Sequence, residues 1–292
     1  MFCMVKMNKE NLLEVALVGE ITHTSMHPSY TTTWDNQPLL GVGKGGIVYN
    51  VNVGDPCFGW EQGEKVEPGV SADGIGKDTE KNSFRQFSNV SNKVRVVNGE
   101  AKGAWGTVIG KAGYLPGRAH HVVMNFGEDT LEKLTIGDKV QIKAHGVGLK
   151  LLDHPEVYAR SCSPALIEAW GLGEDDGKLV VPVTKIVPAD FVGQGHGGSP
   201  PEANNWEIQT QSPDAVEHVK DMRFGDMVLL KDILSAWGRG YYEDGATVGV
   251  VSSGPSQSLG QGIGVTTLLT CKGGEIVPKM DPGANLKRML KL

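Results

Sequence analysis

Ile136-Gly137-Asp138-Lys139-Val140-Gln141-Ile142 and Phe224-Gly225-Asp226-Met227-Val228-Leu229-Leu230 repeat one pattern 88 residues apart. In both, an apolar residue is followed by Gly-Asp and then by a strand-like run. Glycine takes up positive φ without steric cost, and an aspartate carboxylate accepts from amides of its own turn, so the pair marks a tight turn feeding a β-strand. A third such pair, Gly54-Asp55, closes the alternating run Ile47-Val48-Tyr49-Asn50-Val51-Asn52-Val53. Short helix-like stretches, residues 128–134 and 214–222, precede the first two turns. The recurrence of helix, turn and strand in that order reads as an internal duplication, with two copies interlocking around one pseudo-two-fold barrel.

Composition agrees with a mainly β protein. The 292 residues include 40 glycines and 15 prolines with 39% hydrophobic residues, which suits many short strands and turns. The length allows two domains, set here at 1–155 (β-rich) and 156–292 (barrel). A net charge of -6 gives no general attraction to phosphate backbones or anionic lipid, so nucleic acid and membrane are not expected partners. Cys3, Cys57, Cys162 and Cys271 form no C-x-x-C pair and read as buried or free thiols. Lys6, Lys9, Glu10 and Glu14 interrupt what would have to be a signal peptide's apolar stretch, which places the chain in the cytoplasm.

Along the chain, strands are expected at 12–21, 47–53, 93–97, 106–109, 121–126, 246–252 and 265–269. Asn98-Gly99 suits a tight hairpin turn, and residues 61–92 read as a long surface loop or lid. Ser163-Pro164 and Ser212-Pro213 each set a capping hydroxyl before a proline at the first helical position, and Gly171 stops the first of these helices. Residues 285–290 read as a closing basic helix or subunit contact.

No single motif dictates a chemistry. His196 lies among glycines, with Glu202 and Glu207 downstream, and histidine and carboxylate are ligands for zinc or a harder divalent ion. The bland alternative is a solvated histidine in a loop, with Glu207 facing outward beside an inward Trp206. His120 and His121 adjoin on one strand and point to opposite faces, so one at most serves a site. His23 and His27 lack the helical spacing that would mark a metal pair. Gly260-Gln261-Gly262-Ile263-Gly264 lacks the following helix and lysine of a nucleotide loop, yet its amides can approach a small anion. Arg239 could clamp a substrate carboxylate or make a surface salt bridge with Asp232 or Glu243. The hairpin at 99–108 carries a glycine-punctuated pattern seen in some RNA-binding proteins, but its one lysine is offset by a glutamate.

Gly45-Gly46-Ile47-Val48-Tyr49-Asn50-Val51 with Val53-Gly54-Asp55, Val66-Glu67-Pro68-Gly69-Val70-Ser71, Ala101-Lys102-Gly103-Ala104 and Gly264-Val265-Thr266-Thr267-Leu268-Leu269 resemble the domain of unknown function family 4438 over nearly the whole chain. The resemblance implies a RIFT-type barrel in the C-terminal part and brings no activity. It also implies histidines where this chain has Lys65, Ser253 and Gln261. If those bind metal in relatives, the site here is lost or moved, with His196 as the candidate replacement. Asn50, Asp55, Glu67, His121 and Thr266 are the retained polar positions.

The reading is a two-domain β-barrel protein of the RIFT or cradle-loop type. Functionally it is a metal-assisted hydrolase of an amide or similar polar small molecule. Glu67, Glu207 and Arg239 are the catalytic candidates, with His121, His196 and Asp55 as ligands for zinc or manganese. A glycine-histidine segment followed by a carboxylate bears a distant likeness to acetamidases and formamidases. No nucleotide cofactor is expected, and a homo-oligomer is. The rival is a non-catalytic binding or assembly protein, with RNA binding a minor alternative.

Overall fold

The structure, a computed structural model, describes residues 5–24, 31–115, 118–193, 205–238 and 240–292. It is mainly β. Six strands close an antiparallel barrel: β1 (Glu14–Ile21), β2 (Gly69–Gly74), β3 (Lys93–Val96), β4 (Trp105–Leu115), β5 (Arg118–Asn125) and β6 (Lys139–His145). Their order is β1-β6-β3-β4-β5-β2, and β2 returns to β1 through Gly19↔Gly74, Glu20↔Asp73 and Ile21↔Ala72. Closure leaves these strands no open edge. Alternation fills the interior: Val94, Val96, Val140 and Ile142 are buried, while Lys93, Arg95, Lys139 and Gln141 face out.

Residues 61–92 are not the surface loop their polarity suggests. They supply β2, and then α1 (Asp78–Phe87), whose Phe84 plugs the barrel core at 1% exposure. Gly74 makes that closure feasible, because a Cβ there would lie 2.6 Å from Lys81 Cα. The expected strand at 47–53 shrinks to Ile47–Val48, paired with β2. β3 and β4 pair as expected, but residues 97–104 connect them in place of a two-residue turn.

A second sheet contains β7 (Tyr158–Ala159), β8 (Lys185–Val187), β9 (Asn205–Gln209), β10 (Met227–Leu234), β11 (Gly240–Ser253) and β12 (Gly262–Cys271). Its order is β7-β12-β11-β10-β8, with β9 sharing the outer side of β12, and β8 with β10 is its parallel pair. All of β12 is buried, as its apolar run predicts. The remaining helices are short: α2 (Glu128–Leu131), α3 (Pro164–Trp170), α4 (Pro213–Val219) and α5 (Leu286–Leu290). Ser163 and Ser212 cap α3 and α4 by accepting from the amides of Leu166 and Ala215, and Gly171 ends α3 in the left-handed conformation.

The three Gly-Asp turns share one hydrogen-bond plan. Asp138 accepts from the Thr135 amide (2.9 Å), Asp226 from that of Arg223 (2.9 Å) and Asp55 from that of Asn52 (2.8 Å). Each turn then docks by a reciprocal backbone pair on a distant residue. Gly137 and Asp138 hold Ile21, Gly225 and Asp226 hold Val251, and Gly54 and Asp55 hold Phe224. The two duplicated units do not interlock in one barrel, however. β6 bonds β1 and β3, whereas β10 bonds β11 and β8, so the copies sit in separate sheets. The closed ring thus lies in the first half of the chain, and the sheet of the second half packs on its outer wall.

That seam is a shared core. Ile109, Ala112 and Val123 from the barrel join Met227, Leu229 and Leu268 in one buried cluster, which crosses the division expected at 155/156. Gly110 sits at a register shift in β4, where an added Cβ would come 2.5 Å from Ser252 Cβ. The next carbonyl, Lys111 O, accepts from Asn205 Nδ2, Ser252 Oγ and Thr266 Oγ1, each at 2.9 Å. Among the described residues no helix is long and apolar enough to cross a membrane.

Candidate functional site

The segment Glu64-Lys65-Val66-Glu67 runs buried along this seam and delivers three charged side chains to three partners. Lys65 takes φ +50, a left-handed conformation that an unbranched L-residue adopts at a cost of about 1 kcal/mol or more, while its amide donates to Pro255 O at 2.8 Å. Strain of this kind collects where a surrounding structure fixes side chains for use.

Glu67 Oε2 accepts from Ser71 Oγ (2.6 Å) and lies 2.9 Å from His121 Nδ1. All three side chains are buried. β5 places His121 on the barrel's outer wall, because its neighbour Val122 points into the core, and β2 places Ser71 on the same wall. Burial opposes a charge on the imidazole, but the Glu67 carboxylate and its hydrogen bond outweigh it and raise His121 above its ordinary value of 6.5. With Nδ1 committed to Glu67, the other ring nitrogen, Nε2, takes no partner among the described residues. The glycine strap 43–46 covers the pair. At Gly45, φ +79, a Cβ would lie 2.7 Å from His121 Cε1, so only backbone fits over the ring.

Two residues earlier, Lys65 Nζ lies 2.5 Å from Glu207 Oε1, with both side chains under 5% exposed. The contact is a buried ion pair. Glu207 Oε2 accepts from the Gly262 amide at 3.1 Å. Burial pushes the Glu207 carboxyl above the usual range, against the pull of Lys65 and the Gly262 amide. The glycine loop therefore does receive a carboxylate, and the carboxylate is the chain's own. Glu207 is not the outward partner of an inward Trp206: Trp206 packs in the sheet's core, and the barrel covers the opposite face, where Asn205 reaches Lys111 O. Glu64, fully buried, accepts from Ser256 Oγ and from the Gln257 amide at 2.9 Å.

The structure thus brings together Glu67 with His121 and, two residues away, Lys65 with Glu207. Asp55 does not join them, since its carboxylate holds its own turn. His196, Arg239, Glu202, His27 and Cys3 lie outside the described residues, as does the side chain of His120. His23 and Asn50 are exposed, and Thr266 serves the barrel seam. The positions of the histidines implied by the family resemblance gather around Glu207: Lys65 touches it, Gln261 precedes Gly262, and Ser253 pairs with Gly264, which pairs with Glu207. Sequence reasoning missed Ser71 as a support for Glu67 and missed Glu64 entirely. The four-residue spacing from Glu67 to Ser71, in a stretch bounded by glycines, was the available signal for the first.

Among the described residues no group of three His, Cys, Asp or Glu side chains stands arranged to hold a metal ion. Comparison with known proteins supplies a family and a fold relative. Residues 30–168 match the model described as domain of unknown function (DUF4438), N-terminal, and residues 169–290 match its C-terminal counterpart. A solved structure described as "Crystal structure of TM1086" is similar at 37% identity, over 98% of this chain and 99% of that one, with a TM-score of 0.90. No curated protein matches.

Proposed function

From a chain that belongs to the DUF4438 family, we propose a small-molecule hydrolase acting on an amide or related polar substrate, with His121 as its general base. The observation that carries the reading is the Glu67 to His121 Nδ1 contact of 2.9 Å with Nε2 unpartnered among the described residues. A carboxylate on Nδ1 fixes the tautomer and turns the basic nitrogen outward, where it can take a proton from water as that water attacks a carbonyl. Ser71 fixes the carboxylate in turn. Lys65, buried beside Glu207 and two residues from Glu67, is the positive charge this reading assigns to the developing oxyanion. Because the strap 43–46 lies on the ring, substrate entry requires it to shift.

Metal assistance by zinc or manganese fits one half of this arrangement. A metal on His121 Nε2 would have Glu67 as the outer carboxylate that orients its ligand, and would supply a water of lowered pKa. Glu207 does not fit as a ligand, since the Lys65 ammonium already occupies the cation position at 2.5 Å. The same reading keeps the protein cytoplasmic and homo-oligomeric without a nucleotide cofactor. The net charge of -6 favours a small-molecule partner over a nucleic acid.

The second reading is a non-catalytic small-ligand binder, favoured by the burial of both pairs within the seam. Turnover separates the two. The purified chain is assayed for ammonia release from simple aliphatic amides, with and without added zinc or manganese. Activity that falls roughly 10²-fold or more in a His121→Gln variant that remains folded at the assay temperature supports the hydrolase. A fully folded protein that hydrolyses none of them, or a His121→Gln variant as active as the parent, favours the binder.

A further inference from the structure

A cavity of about 320 Å³ opens beside the buried Glu64, lined by Trp34, Phe58, Trp60, Thr210, Ser256 and Gln257 among others. Its size suits a small organic molecule. The walls are fixed. The Trp34 amide donates to Gln257 O at 2.8 Å, and Trp60 Nε1 donates to Pro56 O at 2.9 Å, which satisfies the indole N–H and leaves the ring face for a ligand. Behind the polar wall stands Glu64, whose two partners, Ser256 Oγ and the Gln257 amide, belong to residues of the cavity lining. Glu64 has no ion-pair partner among the described residues, because the neighbouring ammonium of Lys65 is engaged with Glu207.

Three aromatic residues line the cavity, and the hydrogen-bonded carboxylate of Glu64 stands behind its polar wall. Aromatic faces carry negative quadrupole potential and attract cations most strongly where water is excluded. A buried carboxylate adds to that potential and repels anions. We infer that this cavity binds a small organic cation of the alkylated ammonium class, at a site separate from the His121 pair. The cation's alkyl groups contact Trp34, Phe58 and Trp60, and its charge faces the wall that Glu64 supports. The aromatic triplet alone would accept a neutral hydrocarbon equally well, so the charge of Glu64 makes the claim specific.

Choline and its uncharged isostere 3,3-dimethylbutan-1-ol are titrated into the full chain by calorimetry. Choline should bind roughly tenfold or more tightly than the isostere. Trp34, 55% exposed, can be replaced without disturbing the core, and Trp34→Ala should weaken choline by a similar factor. Glu64→Gln should remove the preference for the cation. Equal affinity for the two probes overturns the proposal, as does undiminished choline binding by Trp34→Ala, or no detectable binding of either probe. The outcome is independent of whether the amides are hydrolysed, since no residue of the cavity takes part in that assignment.

Discussion

Replacing Lys65 with methionine keeps most of the stem's volume and deletes the ammonium 2.5 Å from Glu207. Glu207, 2% exposed, is then left with the Gly262 amide as its one described polar contact. Removing one partner of a buried ion pair costs about 3–5 kcal/mol, because the survivor is an uncompensated charge. That is a large part of the roughly 5–15 kcal/mol that holds an ordinary domain folded, and on the order of 10 °C in unfolding temperature for a chain of this size. The cost should depend on pH with a definite sign. Burial places the folded pKa of Glu207 above its unfolded value, so the folded form binds the extra proton. The variant is therefore nearest to the parent below the ordinary carboxylate range and falls behind as pH rises through the raised value. In Lys65→Met/Glu207→Gln a neutral amide accepts from Gly262 and most of the loss returns. Urea unfolding followed by tryptophan fluorescence at mildly acidic and mildly alkaline pH measures all three proteins. A single variant within about 1 kcal/mol of the parent at alkaline pH, equal costs at both pH values, or a double variant no better than the single would refute the reasoning.

His121 supplies the converse pH signature. Its folded pKa is raised, so its contribution to stability is complete below the ordinary value of 6.5 and is lost as pH rises through the raised one; proton NMR of the ring should show that titration, and Glu67→Gln should move it down. Gly45→Ala should cost about 1–3 kcal/mol, since the new Cβ meets His121 Cε1 at 2.7 Å on a backbone at φ +79, and an unchanged unfolding midpoint would show that the strap does not rest on the ring.

The turns were legible because their chemistry is local. Gly-Asp needs a positive φ and a carboxylate three residues from an amide, and both conditions are written in adjacent letters at 54–55, 137–138 and 225–226. The serine caps of α3 and α4 were legible for the same reason. β2 and α1 were not. Phe84 and Val70 are scattered among charged residues, and only the closed barrel gives them a common interior to fill. The pairing of duplicated units was misread because the repeat fixes what each turn looks like and not which distant strand it grips. Site residues divide along the same line. Glu67 and His121 were visible as candidates, but their meeting depends on β2 and β5 being neighbours in the ring. Lys65 appeared as a departure from a family pattern, and its significance lies in β9 being covered on both faces, which no stretch of 202–210 announces.

The seam between barrel and sheet was not the cheapest way to join them. Apolar residues of similar volume at Lys65 and Glu207 would escape the desolvation of two charges and commonly equal or exceed a buried ion pair in stability. The chain instead buries Glu64, Glu67 and Glu207 beside Lys65 and His121, holds Lys65 at φ +50, and keeps glycine at 45 and 110 so that backbone can approach. Several buried charges and a strained backbone gathered in one stretch are what the proposed function would require of this seam. The double variant Lys65→Met/Glu207→Gln separates the two roles: if the pair only joined the sheets, restoring stability would restore everything, whereas a stable double variant deficient in amide hydrolysis assigns the charges to chemistry.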